Sequence, residues 1–308
     1  MASLAVIKAG MLTTVQDLGR WGYQSGGVPV AGPMDSYSHR LANRLVGNDR
    51  EAAALEITLV GPELDADDEV LCAICGARFE ITAGGRRVPP DQPFELRKGE
   101  RLRFGERRAG ARATLAVRGG FDLSPVLGSR ATSLISAMGP LGGRAVTTGT
   151  VLPVGGAATT LAATTCVPLR LPEGGARLHA IPGPHDALFT PDALELFFSA
   201  RFTLSTKSNR MGYRLDGPAL MHGPDSDILS DATPIGSVQV PKSGQPILLM
   251  ADRQTTGGYP KIATVIASDL PIAGQLAPGD WVGFAPCTRR EAVDALQRLE
   301  RRLAGLAA

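Results

Sequence analysis

Cysteines and paired histidines are both scarce in this sequence. Its 308 residues include four cysteines and four histidines, and the cysteines are too few and too scattered for a disulfide framework. Cys72 and Cys75 do spell C-x-x-C, but they lie in an apolar run typical of a buried strand, where positions three apart point to opposite faces. The histidines show neither H-E-x-x-H nor another paired spacing. The sequence therefore predicts no metal site.

Long hydrophobic runs are also missing. No stretch approaches the ~18 apolar residues of a membrane-spanning helix, and the N-terminal MASLAVIKAG lacks the basic and apolar regions of a signal peptide. The net charge is only +2, which gives no reason to expect nucleic acid or an acidic membrane surface as a partner. We expect a cytoplasmic protein that binds neither nucleic acid nor membranes.

Motifs for self-contained catalysis are absent from the sequence as well. There is no G-x-S-x-G elbow and no cysteine with an obvious histidine partner, so acyl transfer by a serine or cysteine of this chain is disfavoured. Neither G-x-x-x-x-G-K-[ST] nor G-x-G-x-x-G occurs. A nucleotide, if one is used, is not held by a phosphate loop of those types.

What the sequence does contain is a globular composition with many turns. Hydrophobic residues make up 44% and charged residues 20%, and the chain is long enough for two domains that each bury a core. Its 37 glycines and 23 prolines divide most of the sequence into short segments typical of strands. We therefore expect a mainly β protein with a few helices.

Three segments carry helix signals. One runs from Ser36 to Val46 with Asp35 as its N-cap, and a second opens at Thr190 with a proline in its first position. The third begins with the capping box of Thr288 and Glu291. Its apolar stripe favours packing against the rest of the protein, with an interaction surface as the alternative. The members of that stripe are Ala292, Leu296, Leu299 and Leu303.

A weak similarity between two segments of the sequence indicates that the chain consists of two related halves. Residues 98–104 and 278–284 both contain a glycine turn, an acidic residue and a short strand that ends in Phe. The small-residue run at 154–165 marks a linker there or just after it. We expect an N-terminal β domain at 1–170, a second β domain at 171–287 and a C-terminal helix at 288–308.

The most informative segment lies between Gly236 and Ala263. A short apolar run, Pro246–Ala251, predicts a strand that is buried on both faces. A dense polar cluster and a glycine turn follow it: Asp252, Arg253, Gln254, Thr255, Thr256, Gly257, Gly258, Tyr259, Pro260 and Lys261. The paired glycines permit positive φ and close approach of a ligand. The residues alone leave two interpretations open, a functional site and a hydrogen-bonded hairpin loop.

Other polar residues have comparable alternatives. Lys261 is one of only five lysines; it is either a cation for a carboxylate or phosphate, or a solvated residue at the start of a strand. Arg210 and Arg214 lie four apart around a glycine, an arrangement suited to clamping an anion. Asp17 is expected to form an ion pair with Arg20 that locks its loop.

Four long blocks of the sequence resemble the carboxyltransferase subdomain A/B family, also called allophanate hydrolase subunit 2 or KipA-like. The first is GMLTTVQDLGRWGYQSGGVPVAGPMD from Gly10, followed by LVGN and ALE near Leu45 and Ala54. The others are GGFDLSPVLGSRATSL from Gly119, SNRMGYRLDGP from Ser208, and the segment after Gly236. Because these blocks extend over nearly the whole chain, the sequence is identified as a member of the family.

The resemblance implies a fold and a chemistry. The family is built from cyclophilin-like β-barrels, so two such domains are expected here. Its members act on a carbonyl next to nitrogen in small molecules, either by moving carboxylate from biotin or by opening a lactam with ATP. The expected catalytic residues are Arg253, Gln254, Thr256, Tyr259 and Lys261. The expected substrate-binding residues are Arg210, Tyr213, Gln239, Asp252, Thr255, Gly257 and Gly258.

The resemblance also implies partners. The favoured interpretation is the C subunit of an ATP-dependent 5-oxoprolinase, inactive alone, which works with a lactam-hydrolase A subunit plus a KipI-like B subunit. The alternatives are the carboxyltransferase subunit of a split biotin-dependent, urea carboxylase-like enzyme, and a non-catalytic regulator of a KipI-like protein. The chain departs from the family pattern at Ser230–Thr233 and at Ser136–Pro140, and either departure would retune the choice of substrate.

Overall fold

The computed structural model describes residues 2–156, 167–224 and 227–305, and these residues are mainly β. They form two compact units. The described residues of the first fall within the ranges Met1–Arg20, Ala31–Leu171 and Arg302–Ala307, and those of the second within Trp21–Val30 and Pro172–Arg301. The predicted linker at 154–165 lies mostly outside the described residues, and the predicted domain boundaries stay a prediction.

The first unit is built on a nine-stranded sheet. Its strands follow the path β2-β3-β8-β4-β1-β9, and the long strand β5 pairs antiparallel with β6, β7 and β8. The strands are β1 (Ser3–Lys8), β2 (Leu12–Gln16), β3 (Ala54–Thr58), β4 (Glu63–Ala66), β5 (Val70–Ala83), β6 (Arg86–Arg87), β7 (Pro93–Leu96), β8 (Arg101–Val117) and β9 (Val151–Pro153). The helical segments are α1 (Ser36–Leu45) and the short turn α2 (Pro140–Gly143).

The second unit contains a closed barrel. Seven strands close in the order β10-β17-β14-β15-β12-β11-β18, and β13 and β16 form a separate two-stranded ribbon. The strands are β10 (Gly175–Pro182), β11 (Arg201–Leu204), β12 (Gly212–Asp216), β13 (Asp231–Ala232), β14 (Ser237–Gln239), β15 (Ile247–Leu249), β16 (Thr256–Gly257), β17 (Lys261–Val265) and β18 (Trp281–Pro286). The helices are α3 (Pro191–Ser199), α4 (Leu270–Gly274) and α5 (Arg289–Leu303).

Each unit has its own apolar core. In the first, side chains from the sheet strands, among them Leu4, Leu55 and Leu115, are fully buried. In the second, Phe197 of α3 stacks on Phe284 of β18 with ring centroids 4.3 Å apart. The predicted fold class, mainly β with a few helices and two cyclophilin-like β-barrel domains, is confirmed; the sheet of the first unit is curled, whereas the second is closed.

The predicted helix starts are confirmed by their caps. The Asp35 carboxylate accepts a hydrogen bond from Ser38 N at 2.8 Å, and the Thr190 hydroxyl caps α3 in the same way. At α5 the capping box is complete, because Thr288 N donates to Glu291 Oε2 at 2.7 Å and Glu291 N donates to Thr288 Oγ1 at 3.2 Å.

Helix α5 is nonetheless largely exposed. Leu303 is its one buried residue, while Leu296 is 38% and Val293 54% exposed. The packing expected of the apolar stripe is therefore seen at its last member. None of the helices among the described residues combines the length and apolarity needed to cross a bilayer.

The C-x-x-C pair lies in strand β5, where both cysteines are buried. Burial raises the pKa of the Cys72 thiol. A buried neutral thiol is unreactive and serves as a small apolar side chain. This is the structural role that the strand pattern predicts.

Candidate functional site

The polar segment Asp252–Lys261, here called the site segment, connects strand β15 to strand β17 of the barrel. Residues 248–251 ahead of it are all buried, although the strand itself covers only Ile247–Leu249. In its middle, β16 pairs with β13 in the register of Gly257 with Asp231 and Thr256 with Ala232. The site segment is thus attached at both ends to the barrel and in the middle to the ribbon partner.

Asp252, the first residue of the site segment, forms a buried ion pair with Arg210. Arg210 Nε donates to Asp252 Oδ2 at 3.0 Å and its Nη2 donates to Oδ1 at 3.1 Å. Their side chains are 5% and 1% exposed. A bidentate pair of this kind satisfies both charges. Arg210 and Asp252 therefore fix the base of the segment, and the buried Tyr213 lies in the adjacent strand β12.

Arg253, the next residue, is buried without an acidic partner. Its side chain is 9% exposed, and its Nε donates to the carbonyl of Thr233 at 2.7 Å. Among the described residues, no carboxylate lies within ion-pair distance of its guanidinium. Burial lowers the pKa of Arg253, but a guanidinium remains charged at any physiological pH.

Thr233 holds the site segment from the other side. Its backbone N donates to Thr255 O at 3.0 Å, and its hydroxyl donates to the carbonyl of Gln254. Together with the bond from Arg253, these contacts join one residue to three successive positions of the segment. Arg253, Gln254 and Thr255 then line one wall of a cavity of about 310 Å³, here called the Arg253 cavity.

The side-chain amides of Gln254 and Gln239 form a second group of contacts in the site segment. Gln254 Nε2 donates to Gln239 Oε1, and Gln239 Nε2 donates to the carbonyl of Tyr259, both at 3.4 Å. The Tyr259 ring is 48% exposed. These three residues line a second cavity of about 190 Å³. Tyr259 also lines a third, of about 390 Å³, with His222 and Lys242 among its walls.

Neither of the two glycines in the site segment has an unusual backbone conformation, and only Gly257 is closely packed. Neither Gly257 nor Gly258 is among the positive-φ glycines of the described chain. A Cβ on Gly257 would lie 2.8 Å from Gln239 Nε2 and 3.2 Å from Gln254 Nε2, whereas one on Gly258 would meet nothing closer than 3.7 Å. A side chain on Gly257 would therefore displace the ends of the two amides, whereas one on Gly258 would fit.

Lys261, at the end of the segment, is buried and paired. Its side chain is 1% exposed, and Nζ donates to Asp231 Oδ2 at 2.7 Å. The hydrogen bond from Lys261 lowers the pKa of Asp231. The alternative interpretation of Lys261 as a solvated lysine is thus wrong. The ion pair links the start of β17 to the ribbon strand β13.

His185 lies next to this pair. Its Nδ1 accepts a hydrogen bond from Lys261 N at 3.3 Å. Burial, and then the positive charge of Lys261, lower the pKa of His185. The imidazole is therefore held in its neutral form beside the lysine.

Asp17 and Arg20 of the N-terminal block lie in the first unit. Asp17 Oδ1 accepts hydrogen bonds from Gly19 N at 2.9 Å and Ser129 Oγ at 2.6 Å. Arg20 is 1% exposed and donates to the carbonyls of Val126 and Ala131, both at 2.8 Å. These contacts tie the loop to the sequence block at 119–134, whereas the expected ion pair between Asp17 and Arg20 stays a prediction.

Sequence reasoning missed several residues that shape the site. Asp231 and Thr233 stand out in the sequence only as part of a departure from the family pattern, and nothing in the sequence singles out His185. Trp21 and Gln24 belong to the second unit and line the Arg253 cavity. Their positions far from the site segment in sequence give no local signal of this contact. Three members of the expected set, Thr256, Gly258 and Tyr259, are exposed.

Known proteins of similar sequence extend over nearly the whole chain. The C subunit of the 5-oxoprolinase of Escherichia coli is 40% identical over 298 residues, which cover 97% of this chain and 96% of the relative. The protein of the same description from Haemophilus influenzae is 34% identical, and the match covers 93% of this chain and 92% of the relative.

Among the described residues, no cluster of three or more His, Cys, Asp or Glu is placed to hold a metal ion.

A solved structure of a much larger protein contains the same fold. The crystal structure of the urea amidolyase of K. lactis superposes with a TM-score of 0.92 at 31% identity. It covers 99% of this chain, which spans only 20% of that protein. The sequence profile of the family described as carboxyltransferase domain, subdomain A and B, matches residues 26–286. The chain therefore belongs to the carboxyltransferase domain, subdomain A and B, family.

Proposed function

We propose that this chain is the C subunit of an ATP-dependent 5-oxoprolinase, which opens the lactam ring of 5-oxoproline to give glutamate. The observation that carries the proposal is the 40% identity to the C subunit of a 5-oxoprolinase over 97% of this chain and 96% of the relative. Identity over nearly the full length of both chains favours the same role more strongly than identity to one domain of a larger enzyme. The proposed partners are a lactam-hydrolase A subunit plus a KipI-like B subunit.

The chemistry of the site segment supports this role. A lactam acid presents a carboxylate and an amide carbonyl, and negative charge develops on that carbonyl oxygen when the ring is attacked. Arg253 provides a buried charge for an anion, and the amides of Gln239 and Gln254 lie within 3.4 Å of each other. We assign charge recognition to Arg253, and hydrogen bonding of the lactam to Gln254, Thr256 and Tyr259.

Lys261 has a structural role in this proposal. Because its ammonium is already bound to Asp231 at 2.7 Å, its role is to hold the ribbon against the barrel strand. Arg210 and Asp252 do the same for the base of the segment, beside the buried Tyr213. Thr255 lines the Arg253 cavity, and Gly258 lines the third cavity.

ATP belongs to the assembled complex in this proposal. The sequence has no phosphate-binding loop of the common types. The largest of the three cavities around the site segment contains one lysine, Lys242, which already pairs with Asp227 at 3.0 Å. We therefore assign no ATP-binding residue to this chain.

The second candidate is the carboxyltransferase subunit of a split biotin-dependent enzyme. The TM-score of 0.92 with a urea amidolyase favours it. Residues 1–308 contain no Met-Lys-Met biotin attachment motif, so they do not carry the biotin themselves. The two candidates therefore differ in their partners and in the cofactor that the complex consumes.

Co-expression separates the candidates. The chain is produced alone and with candidate A and B subunits, and each sample is assayed for glutamate from 5-oxoproline and ATP. Turnover by the three-chain mixture, and none by the single chain, supports the proposal. Robust turnover by the single chain contradicts the subunit role, and biotin-dependent carboxylation without lactam opening supports the second candidate. A regulatory protein would bind the KipI-like partner and leave its activity independent of Arg253.

A further inference from the structure

Two arginines lie close together on the outer face of the barrel in the second unit. Strand β18 runs between β10 and β11, and the register places Arg177 of β10 and Arg201 of β11 on either side of Gly283. Both arginines are exposed, whereas the next residues, Leu178 and Phe202, are fully buried. The alternation shows that the two guanidinium groups lie on the solvent side of the sheet.

Neither arginine has an acidic partner in the described part of the chain. No carboxylate lies within ion-pair distance of either guanidinium, and neither donates a hydrogen bond. Strands β10, β11 and β18 contain no aspartate or glutamate. Asp280, next to the start of β18, accepts a hydrogen bond from Ala277 N at 2.8 Å. This face of the barrel therefore carries two positive charges that the neighbouring strands do not neutralise.

Trp281 of β18 lies on the same face and is held in place. Its ring lies under the Arg201 guanidinium, with the central carbon 4.3 Å from the ring centroid. On the other neighbouring strand, Gly175 pairs with Trp281. A Cβ on Gly175 would lie 2.4 Å from Cγ and Cδ1 of the ring. The ring therefore packs against the backbone of Gly175, and only glycine permits this packing.

Arg177 is close to the same ring. A Cβ on Gly283 would lie 3.6 Å from Cζ3 of Trp281 and 3.7 Å from Nε of Arg177. The edge of the ring and the second guanidinium thus approach one point above the strand. The three side chains of Arg177, Arg201 and Trp281 are here called the Trp281 cluster.

The Trp281 cluster has the donors needed to bind carboxylates. A cation–π contact uses the flat face of the Arg201 guanidinium and leaves the N–H groups in its plane available. These N–H groups form a fork that matches the two oxygens of a carboxylate. Arg177 adds a second guanidinium beside the first. Two carboxylates of one segment could therefore be bound side by side.

The composition of the cluster favours a protein as the partner. Its three residues lie on a strand surface and line none of the cavities around the site segment. Tryptophan and arginine are enriched among the residues that dominate the binding energy of protein interfaces. Nucleic acids bind through many phosphate contacts, and the net charge of the chain is only +2. An acidic protein segment has the complementary charge at the right scale.

We propose that the Trp281 cluster is a docking surface for an acidic segment of a partner protein, with carboxylates of that segment on Arg177 and Arg201 beside Trp281. In the complex of the proposed function, the partner is the A or the B subunit, and this identification rests on that function. The position of the surface and the charge of the segment rest on the geometry of the second unit. The cluster is separate in sequence from the site segment.

A peptide titration tests the charge preference directly. The chain is titrated into a fluorescein-labelled oligoglutamate peptide, and the anisotropy is measured at low and high salt. The matching oligoglutamine peptide and a short labelled DNA duplex are titrated in parallel. We expect saturable binding of oligoglutamate that weakens as the salt concentration rises, with much weaker binding of oligoglutamine.

Variants assign the binding to the cluster. Arg177→Gln and Arg201→Gln should each weaken the binding of oligoglutamate at least about fivefold, and the double variant at least about tenfold. Arg290→Gln, which removes one exposed charge on α5, is the matched control and should bind as the parent does. Thermal unfolding of each variant establishes that it is folded.

The assembled complex provides a second readout. The A and B subunits are kept at a fixed low concentration with 5-oxoproline and ATP, and this chain is added in increasing amounts. The double variant should require at least about tenfold more chain for half-maximal turnover. Its maximal turnover should equal that of the parent, because neither arginine belongs to the site segment.

Four results would overturn the inference. They are no saturable binding of oligoglutamate, normal binding of this peptide by the double variant, tighter binding of the DNA duplex than of the peptide, and an unchanged half-maximal concentration in an active complex. The outcome is separate from that of the proposed function. If the complete mixture does not open lactams, the function is contradicted, while the peptide titration still decides whether the surface binds acidic segments.

Discussion

The buried pair of Arg210 and Asp252 should be a stability element and not a substrate contact, and its neutralisation tests that distinction. Asp252→Asn removes one charge with little change in shape. Arg210, which is 5% exposed, would then lose the carboxylate to which it donates two hydrogen bonds. Breaking a buried ion pair from one side costs about 3–5 kcal/mol. At 2–4 °C per kcal/mol for a unit of this size, the transition of the second unit should fall by roughly 6–20 °C.

Differential scanning calorimetry measures this change, with Asp227→Asn as the matched control. Asp227 also forms an ion pair, with Lys242 at 3.0 Å, but the two side chains are 84% and 80% exposed, so its loss should alter the transition little. The double variant Arg210→Met with Asp252→Leu should recover much of the loss, because it removes both buried charges. If Asp252→Asn has the transition temperature of the parent protein but binds 5-oxoproline more weakly, the reasoning is refuted, and Asp252 is a substrate contact.

Two further predictions concern buried polar groups. Burial lowers the pKa of His39 to about 4, whereas a histidine of the unfolded chain has a pKa near 6.5. Between pH 4 and 6.5 the unfolded chain therefore binds more protons than the folded protein. The free energy of unfolding should fall by roughly 3 kcal/mol as the pH decreases from about 7 to 4. His39→Gln should flatten that part of the pH profile of unfolding, and a persistent slope in His39→Gln would contradict the assignment. Gly257→Ala should reduce turnover of the assembled complex at least severalfold, since its Cβ would come within 2.8 Å of Gln239 Nε2, and Gly258→Ala should keep normal turnover; equal rates for the two variants would show that the amide packing is unimportant.

Local sequence patterns predicted the elements that depend on local chemistry. The caps at Asp35, Thr190 and Thr288 were predictable because each involves a side chain and a backbone group three residues away. The buried position of the strand before the site segment followed from its continuous apolar run. The family resemblance supplied the barrel architecture, which periodicity alone did not give.

The polar contacts of the site depend on tertiary structure. Lys261 is paired with Asp231, thirty positions earlier in the chain, so no local pattern distinguished a buried lysine from a solvated one. The roles of two adjacent residues also separated only in three dimensions. Asp252 is neutralised by Arg210, whereas Arg253 is left without an acid among the described residues. The sequence placed both in one cluster because it could not show which of them was already paired.

The far wall of the Arg253 cavity was the least predictable part. Trp21 and Gln24 lie more than two hundred positions before Arg253. Their neighbourhood in sequence is a glycine-containing turn, which gives no indication of a ligand. Contacts between such distant segments are set by the pairing of whole elements, and a single sequence carries no direct signal for them.

The most direct test of the proposed function is an omission experiment with the three purified proteins. Glutamate formation from 5-oxoproline and ATP is measured with the A and B subunits, with and without this chain, and with the Arg253→Gln variant in its place. The account predicts turnover that requires this chain and falls at least about tenfold with Arg253→Gln. Equal turnover by the two partners without this chain, or no lactam opening by the complete and correctly assembled mixture, would contradict it.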